Sequence, residues 1–193
     1  MTTLHLRGAA ALLLAALAGS AAAHTGHGTE SLFQGLAHPF GVDHLLAMVA
    51  VGVWSAAAFQ GARRWLGPIT FLSAMALGAG LAFGGLVVPW VEPGLAVSVI
   101  AFGAMLAFAT RTPAGPGLLL VAASALLHGL AHGAELPGSA QVVAYATGFL
   151  ATTALLHVGG LALGSRLLSA APRLWQGLGA LLGSAGLTLL MRL

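Results

Sequence analysis

Cysteine is absent from this 193-residue chain, and charged residues make up only 6% of it. The first absence excludes disulfides, thiolate nucleophiles and thiolate metal sites, so a metal ion would need imidazole, carboxylate, backbone or thioether ligands. The second excludes an ordinary water-soluble domain, in which roughly a quarter of the residues are charged. Lysine is also missing, and the seven basic residues are arginines scattered between apolar runs. That distribution excludes the basic patch of a nucleic-acid-binding surface.

Most of the chain consists of apolar residues. Hydrophobic residues account for 59% of it, glycine contributes 28 positions and the mean hydropathy is +0.97. These values predict an all-α membrane protein, because glycine is more frequent in membrane helices than in soluble ones. After a cleaved signal peptide we expect one bundle of about six transmembrane helices at residues 36–193. The apolar runs place the helices at 36–59, 66–90, 95–110, 117–134, 140–163 and 177–190.

Residues 1–23 have the pattern of a secretory signal peptide. Arg7 precedes an apolar run at 8–18 that is too short to span a hydrocarbon core of ~30 Å, and small residues lead up to Ala23. Cleavage after Ala23 would leave 24–35 as a periplasmic N-terminal leader. The alternative is an uncleaved membrane anchor.

The arginines predict the topology, because an excess of Lys and Arg marks cytoplasmic loops. Five of the seven follow the first, third and fifth predicted spans, as Arg63 and Arg64, Arg111, and Arg166 and Arg173. Arg192, after the sixth span, would lie outside as a minor exception. The loops after the second and fourth spans carry Glu92 and Glu135 and no arginine. We therefore expect a multi-pass protein of the bacterial inner membrane with its mature N-terminus in the periplasm, as signal-peptide cleavage also requires.

Two motifs place ionisable residues inside apolar spans. The first runs from His38 through Asp43 and His44 to Met48, and the second from His128 to Glu135. An ionisable side chain near mid-bilayer costs ~2.5–3.5 kcal/mol and is a functional hypothesis by default. No arginine lies within a predicted span to pair with either carboxylate, and a buried charge must be paired, bind a metal or be neutralised.

The spacing of both motifs predicts one metal site. On a helix, His128, His132 and Glu135 share a face at i, i+4 and i+7, as do His44 and Met48 at i and i+4. His38 precedes Pro39, which favours a first helical turn, so His38 is expected to fold back from just before the helix. The predicted topology puts both motifs toward one membrane face. The predicted ligands are His38, Asp43, His44, His128, His132 and Glu135, with Met48, His24 and His27 as further candidates.

Some of these histidines also have interpretations that involve no metal. After signal cleavage His24 would offer its amine and imidazole as a chelating pair with His27 nearby, or both would belong to a disordered polar leader. His157 stands alone in the fifth predicted span and is interpreted as a packed core residue. A nitrogen and oxygen ligand set without thiolate suits nickel, cobalt or zinc.

The two motifs resemble those of the HupE/UreJ family of hydrogenase and urease accessory proteins, which are nickel permeases. The first motif contributes His38, Pro39, Gly41, Asp43, His44 and Met48. The second, from Leu127 to Glu135, has Leu127 where the family pattern has phenylalanine. The resemblance covers the whole chain. It implies nickel uptake into the cytoplasm for hydrogenase or urease, with His38, Asp43 and His44 as the required residues, although some relatives are associated with cobalt.

Other classes of protein fit less well. There is no Walker-type loop for a nucleotide, so we expect transport driven by membrane potential or an ion gradient, with no permanently bound cofactor. An intramembrane metalloprotease would want H-E-x-x-H, but Gly129 follows His128, and a serine protease would have only Ser184 as a candidate. A haem-binding electron carrier, with histidines of facing helices as axial ligands, is the third alternative.

Overall fold

The computed structural model describes residues 32–40, 42–134, 142–167 and 169–193, and for residues 42, 43 and 167 it describes the backbone only. Every regular element in this part of the chain is helical, which confirms the all-α prediction. The described residues form seven α-helices: α1 (Leu32–Ala37), α2 (Val42–Ala58), α3 (Leu66–Phe83), α4 (Val91–Ala107), α5 (Ala114–Ala134), α6 (Val142–Leu167) and α7 (Pro172–Leu190). Two 3-10 segments, His38–Phe40 and Gly61–Trp65, precede α2 and α3.

Three stretches of the described chain are long and apolar enough to cross a membrane: Gly61–Phe83, Ala114–Ala134 and Val142–Arg166. A fourth arises if α1 and α2 are counted together as one bent span, and α4 is a shorter apolar helix. Apolar helices of this kind are those of a multi-pass membrane protein. The count of six spans stays a prediction, and the signal peptide lies outside the described residues.

The first predicted span, at 36–59, is broken in the structure. The segments Leu32–Phe40 and His44–Ala58 meet at 71°. Pro39 contributes to the break, because a proline has no backbone N–H and disfavours an α-helical residue before it. Discontinuous helices of this kind line the substrate sites of many secondary transporters.

The second predicted span, at 66–90, also ends early, at Phe83. Gly85 adopts a left-handed backbone conformation with φ of 94°, which glycine tolerates and which ends the helix. The backbone N–H groups of Gly84 and Gly85 donate to the carbonyls of Gly80 and Ala82 in this last turn. The remaining predicted residues form the connection to α4.

Glycines set how closely the helices approach. On α5, Gly129 and Gly133 lie against the backbone of Met75 and Ala79 on α3, so that a Cβ at either glycine would collide with it. On α6, Gly160 lies against Val49 of α2 in the same way. Small residues permit such contact between membrane helices. Helix α4 packs on α7 through Gly103 and Gly179, and α1 packs on α6 through Gly35 and Gly148.

The centre of the bundle is filled by large side chains from several helices. Trp54 and Phe102 have no exposed surface, and Phe71 is 1% exposed. The indole N–H of Trp54 donates to the backbone carbonyl of Thr112 at 3.2 Å, so the ring carries no unsatisfied donor. Outward-facing residues such as Leu119, Val143 and Leu155 are exposed and apolar, as expected of a surface that faces lipid.

Candidate metal centre

The break between α1 and α2 places His38 over the beginning of α2. His38 opens the 3-10 turn, and the buried ring of Pro39 follows it. The His38 ring lies edge-on to the rings of His44 and His132, with centroids 5.5 and 4.7 Å away. The fold-back of His38 expected from the sequence is therefore present, and it joins two helices that are distant in the chain.

His38, His44 and His132 form a compact three-histidine cluster. One ring nitrogen from each lies within 4.8 Å of the other two. The Nε2 atoms of His44 and His132 are 3.1 Å apart, and these two side chains are 6% and 8% exposed. At that distance the Nε2 of one ring donates a hydrogen bond to the Nε2 of the other, and the tautomers decide which ring donates.

Aromatic residues of α6 enclose the cluster on one side. The Phe149 ring lies 5.2 Å from the His132 ring and 5.5 Å from that of His38, and Tyr145 lies 6.1 Å from His38. Tyr145 and Phe149 are both buried, and their rings are nearly parallel. An apolar wall limits access of water, which strengthens electrostatic interactions inside the site.

His128 lies beside this cluster and makes a different contact. Its ring is 5.6 Å from that of His44, and its Nε2 lies 2.9 Å from the hydroxyl oxygen of Ser98 on α4. That hydroxyl donates its own hydrogen to the carbonyl of Leu95 at 2.7 Å, so the Nε2–H of His128 is the donor in the contact with Ser98. The lone pair of a neutral His128 is then on Nδ1. The structure thus separates His128 from the group of three that can share one ion through described atoms.

The remaining predicted ligands are placed as follows. Met48 is 2% exposed and lies one turn after His44 on α2, within the apolar core. The Asp43 side chain and the whole of Glu135, His24 and His27 lie outside the described residues. Their roles as ligands stay predictions.

Several residues around the cluster carry no signal in the sequence. Ser98, Tyr145 and Phe149 come from helices without a histidine motif near them in the chain, and only tertiary packing brings them to the site. A polar or aromatic residue within an apolar helix is common, so its position alone does not indicate function.

Comparison with known proteins agrees with the motif resemblance. A family model described as HupE / UreJ protein matches residues 12–189. A curated relative, Protein HupE from Rhizobium leguminosarum bv. viciae, is 42% identical over 151 residues, which is 78% of each chain. No solved structure matches. The family match covers nearly the whole chain, including both histidine motifs, and the chain belongs to the HupE/UreJ family.

Proposed function

We propose that this protein carries a divalent transition-metal ion, nickel(II), across the bacterial inner membrane into the cytoplasm, where it supplies hydrogenase or urease. The observation that carries the proposal is the cluster of His38, His44 and His132, with one nitrogen of each within 4.8 Å of the others. Three imidazoles that converge inside an apolar helical bundle are typical of a metal-binding site. Membership of the HupE/UreJ family supports the same function.

The donor atoms favour a borderline metal ion. Imidazole nitrogen suits nickel, copper, zinc and cobalt, whereas magnesium and calcium prefer all-oxygen sites. The chain has no thiolate to draw softer ions. Among these ions, membership of the HupE/UreJ family favours nickel. Cobalt(II) is the alternative substrate within the same family.

The charge of the ion needs an anionic partner, since three neutral imidazoles leave both positive charges uncompensated. Asp43 is the residue before His44 on α2, and Glu135 follows His132 by three residues. Each histidine motif thus contains one carboxylate residue. We assign them to neutralising the ion in the low-dielectric interior.

The driving force requires no nucleotide. One charge moving through 100 mV gains ~2.3 kcal/mol, so a divalent ion entering a negative interior gains ~4.6 kcal/mol. That free energy corresponds to a concentration ratio of roughly a thousandfold. Binding requires unprotonated imidazole and ionised carboxylate, so protons compete with the metal.

Transport is tested by uptake of radioactive nickel into proteoliposomes with an imposed membrane potential. Wild-type protein should accumulate nickel, and cobalt should compete more strongly than magnesium. His44→Gln and His132→Gln should each reduce uptake by at least about tenfold, because each removes one ligand nitrogen.

Thr188→Ala provides the matched control, since its exposed hydroxyl bonds only to the carbonyl of Ser184 on its own helix at 2.9 Å. It should transport like the wild type. Normal uptake by both glutamine variants at normal protein levels would refute the assignment of the site, and a wild-type protein that moves no nickel or cobalt would refute the function.

A further inference from the structure

One buried histidine outside both motifs, His157, has a ring nitrogen without a hydrogen-bond partner among the described residues. His157 on α6 has no exposed surface, and its Nε2 has no hydrogen-bond partner among the described residues. A buried polar atom normally has a partner, so an exception calls for a specific explanation. The sequence interpretation of His157 as simple packing does not supply one.

The other ring nitrogen of His157 fixes where the lone pair lies. Nδ1 is 2.7 Å from the backbone carbonyl oxygen of Thr153, and because a carbonyl can only accept, Nδ1 must carry the hydrogen. In a neutral ring the lone pair is then on Nε2. Histidines that bind metal ions almost always donate their second nitrogen to a carbonyl or carboxylate in this way, which orients the ring.

Thr153 adds a second unpartnered atom one turn earlier on the same helix. Its side chain has no exposed surface, and its Oγ1 also lacks a partner among the described residues. The other Thr and Ser hydroxyls described on α6 donate to carbonyls: Thr147 to Val143, Thr152 to Leu36 and Ser165 to Leu161. Unlike them, the Thr153 hydroxyl makes no such bond, so its oxygen is available to a metal ion.

The packing of α6 on α2 gives the position of His157 along the bundle. Gly160 lies against Val49 and Gly52, and Gly164 lies against Val53 and Ala56, so the two helices run parallel in a fixed register. His157, three residues before Gly160, is therefore level with Ala47 and Met48. That level is about one helical turn, roughly 5 Å, beyond His44 toward the end of α2. In the proposed topology this direction leads to the cytoplasm.

The surroundings of His157 suit an ion in transit better than a permanent site. The ring of Phe71 lies 4.8 Å from the His157 ring, and no other His, Asp or Glu of the described chain completes a three-ligand group there. An aromatic ring close to the site can interact favourably with a cation through its π-face. Few ligands mean weak binding, and conduction requires sites weak enough for the ion to leave.

We propose that His157 Nε2, together with Thr153 Oγ1, forms a second metal-binding station that receives the ion from the three-histidine cluster on its way inward. This inference rests on the proposed transport function and adds a step to it. The station differs from the cluster because it serves passage and contributes nothing to the first binding event. Loss of His157 should consequently slow transport while leaving equilibrium binding at the cluster intact.

The first test compares binding with transport in His157→Phe, which fills the same core space with an apolar ring. Equilibrium nickel binding should stay within twofold of wild type, while the rate of uptake into proteoliposomes should fall by at least about tenfold. Thr153→Val should show a smaller loss in the same direction. Wild-type uptake by His157→Phe at normal protein levels would overturn the proposal.

The second test depends on neither nickel transport nor the folding of the phenylalanine variant. Because the chain has no cysteine, His157→Cys introduces a single thiol, and Leu161→Cys, one turn further at a side chain that is 4% exposed, is its matched control. Cadmium added to His157→Cys should give a thiolate-to-cadmium charge-transfer band, and Leu161→Cys should give none. Equal responses from the two thiols would overturn the station.

The two failures are distinguishable. A wild-type protein that takes up no nickel contradicts the proposed function, whereas the cadmium band reports whether a metal ion reaches position 157 even if nickel never crosses.

Discussion

The hydroxyl of Thr152 on α6 donates a hydrogen bond of 2.9 Å to the backbone carbonyl of Leu36 on α1. Leu36 lies in the last turn of α1, where carbonyls have no partner within their own helix. The bond therefore satisfies one of these carbonyls and attaches the end of α1 to α6, two residues before His38. The position of the first ligand of the cluster depends on a helix more than a hundred residues away in the chain.

Replacing Thr152 by valine should weaken metal binding more than it weakens the fold. The variant keeps the shape of the side chain but leaves the Leu36 carbonyl unsatisfied, at a cost of about 1–3 kcal/mol. We expect reduced nickel affinity by equilibrium dialysis and only a small fall in melting temperature in detergent. Thr147→Val is the control, since the Thr147 hydroxyl bonds within α6 to Val143. Equal nickel affinity in the two variants would argue against the attachment.

Asp43→Asn should insert normally and abolish nickel uptake. The substitution nearly preserves shape while removing the carboxylate charge that we assign to neutralising the ion beside His44. Insertion should be unimpaired, because a charge in the membrane is costly. Immunoblotting of membranes measures the protein level, and radioactive nickel measures uptake. Wild-type transport at a wild-type level would mean that the two motifs do not share a charge-neutralised site.

Gly129→Val should destabilise the bundle severely, whereas Gly80→Val should not. A Cβ at Gly129 would collide with the backbone of Met75, and backbone cannot move aside as a side chain can. Overpacking of this kind costs about 1–3 kcal/mol or more. Gly80 faces open space and provides the control on a neighbouring helix. Thermal melting of the two detergent-solubilised variants should differ clearly, and similar melting temperatures would contradict the described contact of α3 with α5.

The topology predicted from the arginines can be read with fusions to an enzyme that is active only in the periplasm. A fusion after Glu135 should be active, and a fusion near Arg64 should be silent. The opposite pattern would place the outer ends of α2 and α5 in the cytoplasm and would reverse the proposed direction of transport.

Mass spectrometry of the mature protein should find His24 at the N-terminus. That result would give the leader a free amine next to an imidazole, with His27 nearby. Recovery of an intact Met1 would instead indicate an uncleaved anchor and would remove the amine from any chelate.

The sequence was sufficient for the helical class, but the spacing of the predicted ligands did not show which of their side chains lie together. His128 and His132 share a helix face, so spacing alone predicts one common site for both. A spacing of four residues also separates them by about 6 Å along the helix axis. At that separation the two side chains have different neighbours. His132 meets His38 and His44, while His128 contacts Ser98.

Neither the break before α2 nor the α6 residues beside the histidine cluster could be predicted from the local sequence. Apolar composition is the same for a straight span and a bent one, and a hydrophobic run therefore predicts only length. Phe149 and Tyr145 matter because they lie against the histidine cluster, and packing between helices that are distant in the chain decides that position. The unpartnered His157 is likewise recognisable only once the surrounding side chains are in place.

The glycine contacts divide the helices that carry the histidines into two blocks. Helices α1, α2 and α6 are joined through Gly35 and Gly160, and α3 is joined to α5 through Gly129. His38 and His44 belong to the first block and His132 to the second, so a bound ion would bridge the seam between them. Metal–ligand distances are held to about 0.2 Å, and a small rocking of one block against the other would open the coordination sphere without unfolding any helix. A bound ion would thus add metal–ligand bonds across a boundary that otherwise rests on side-chain packing, such as that of Phe71 on α3 against His157 on α6.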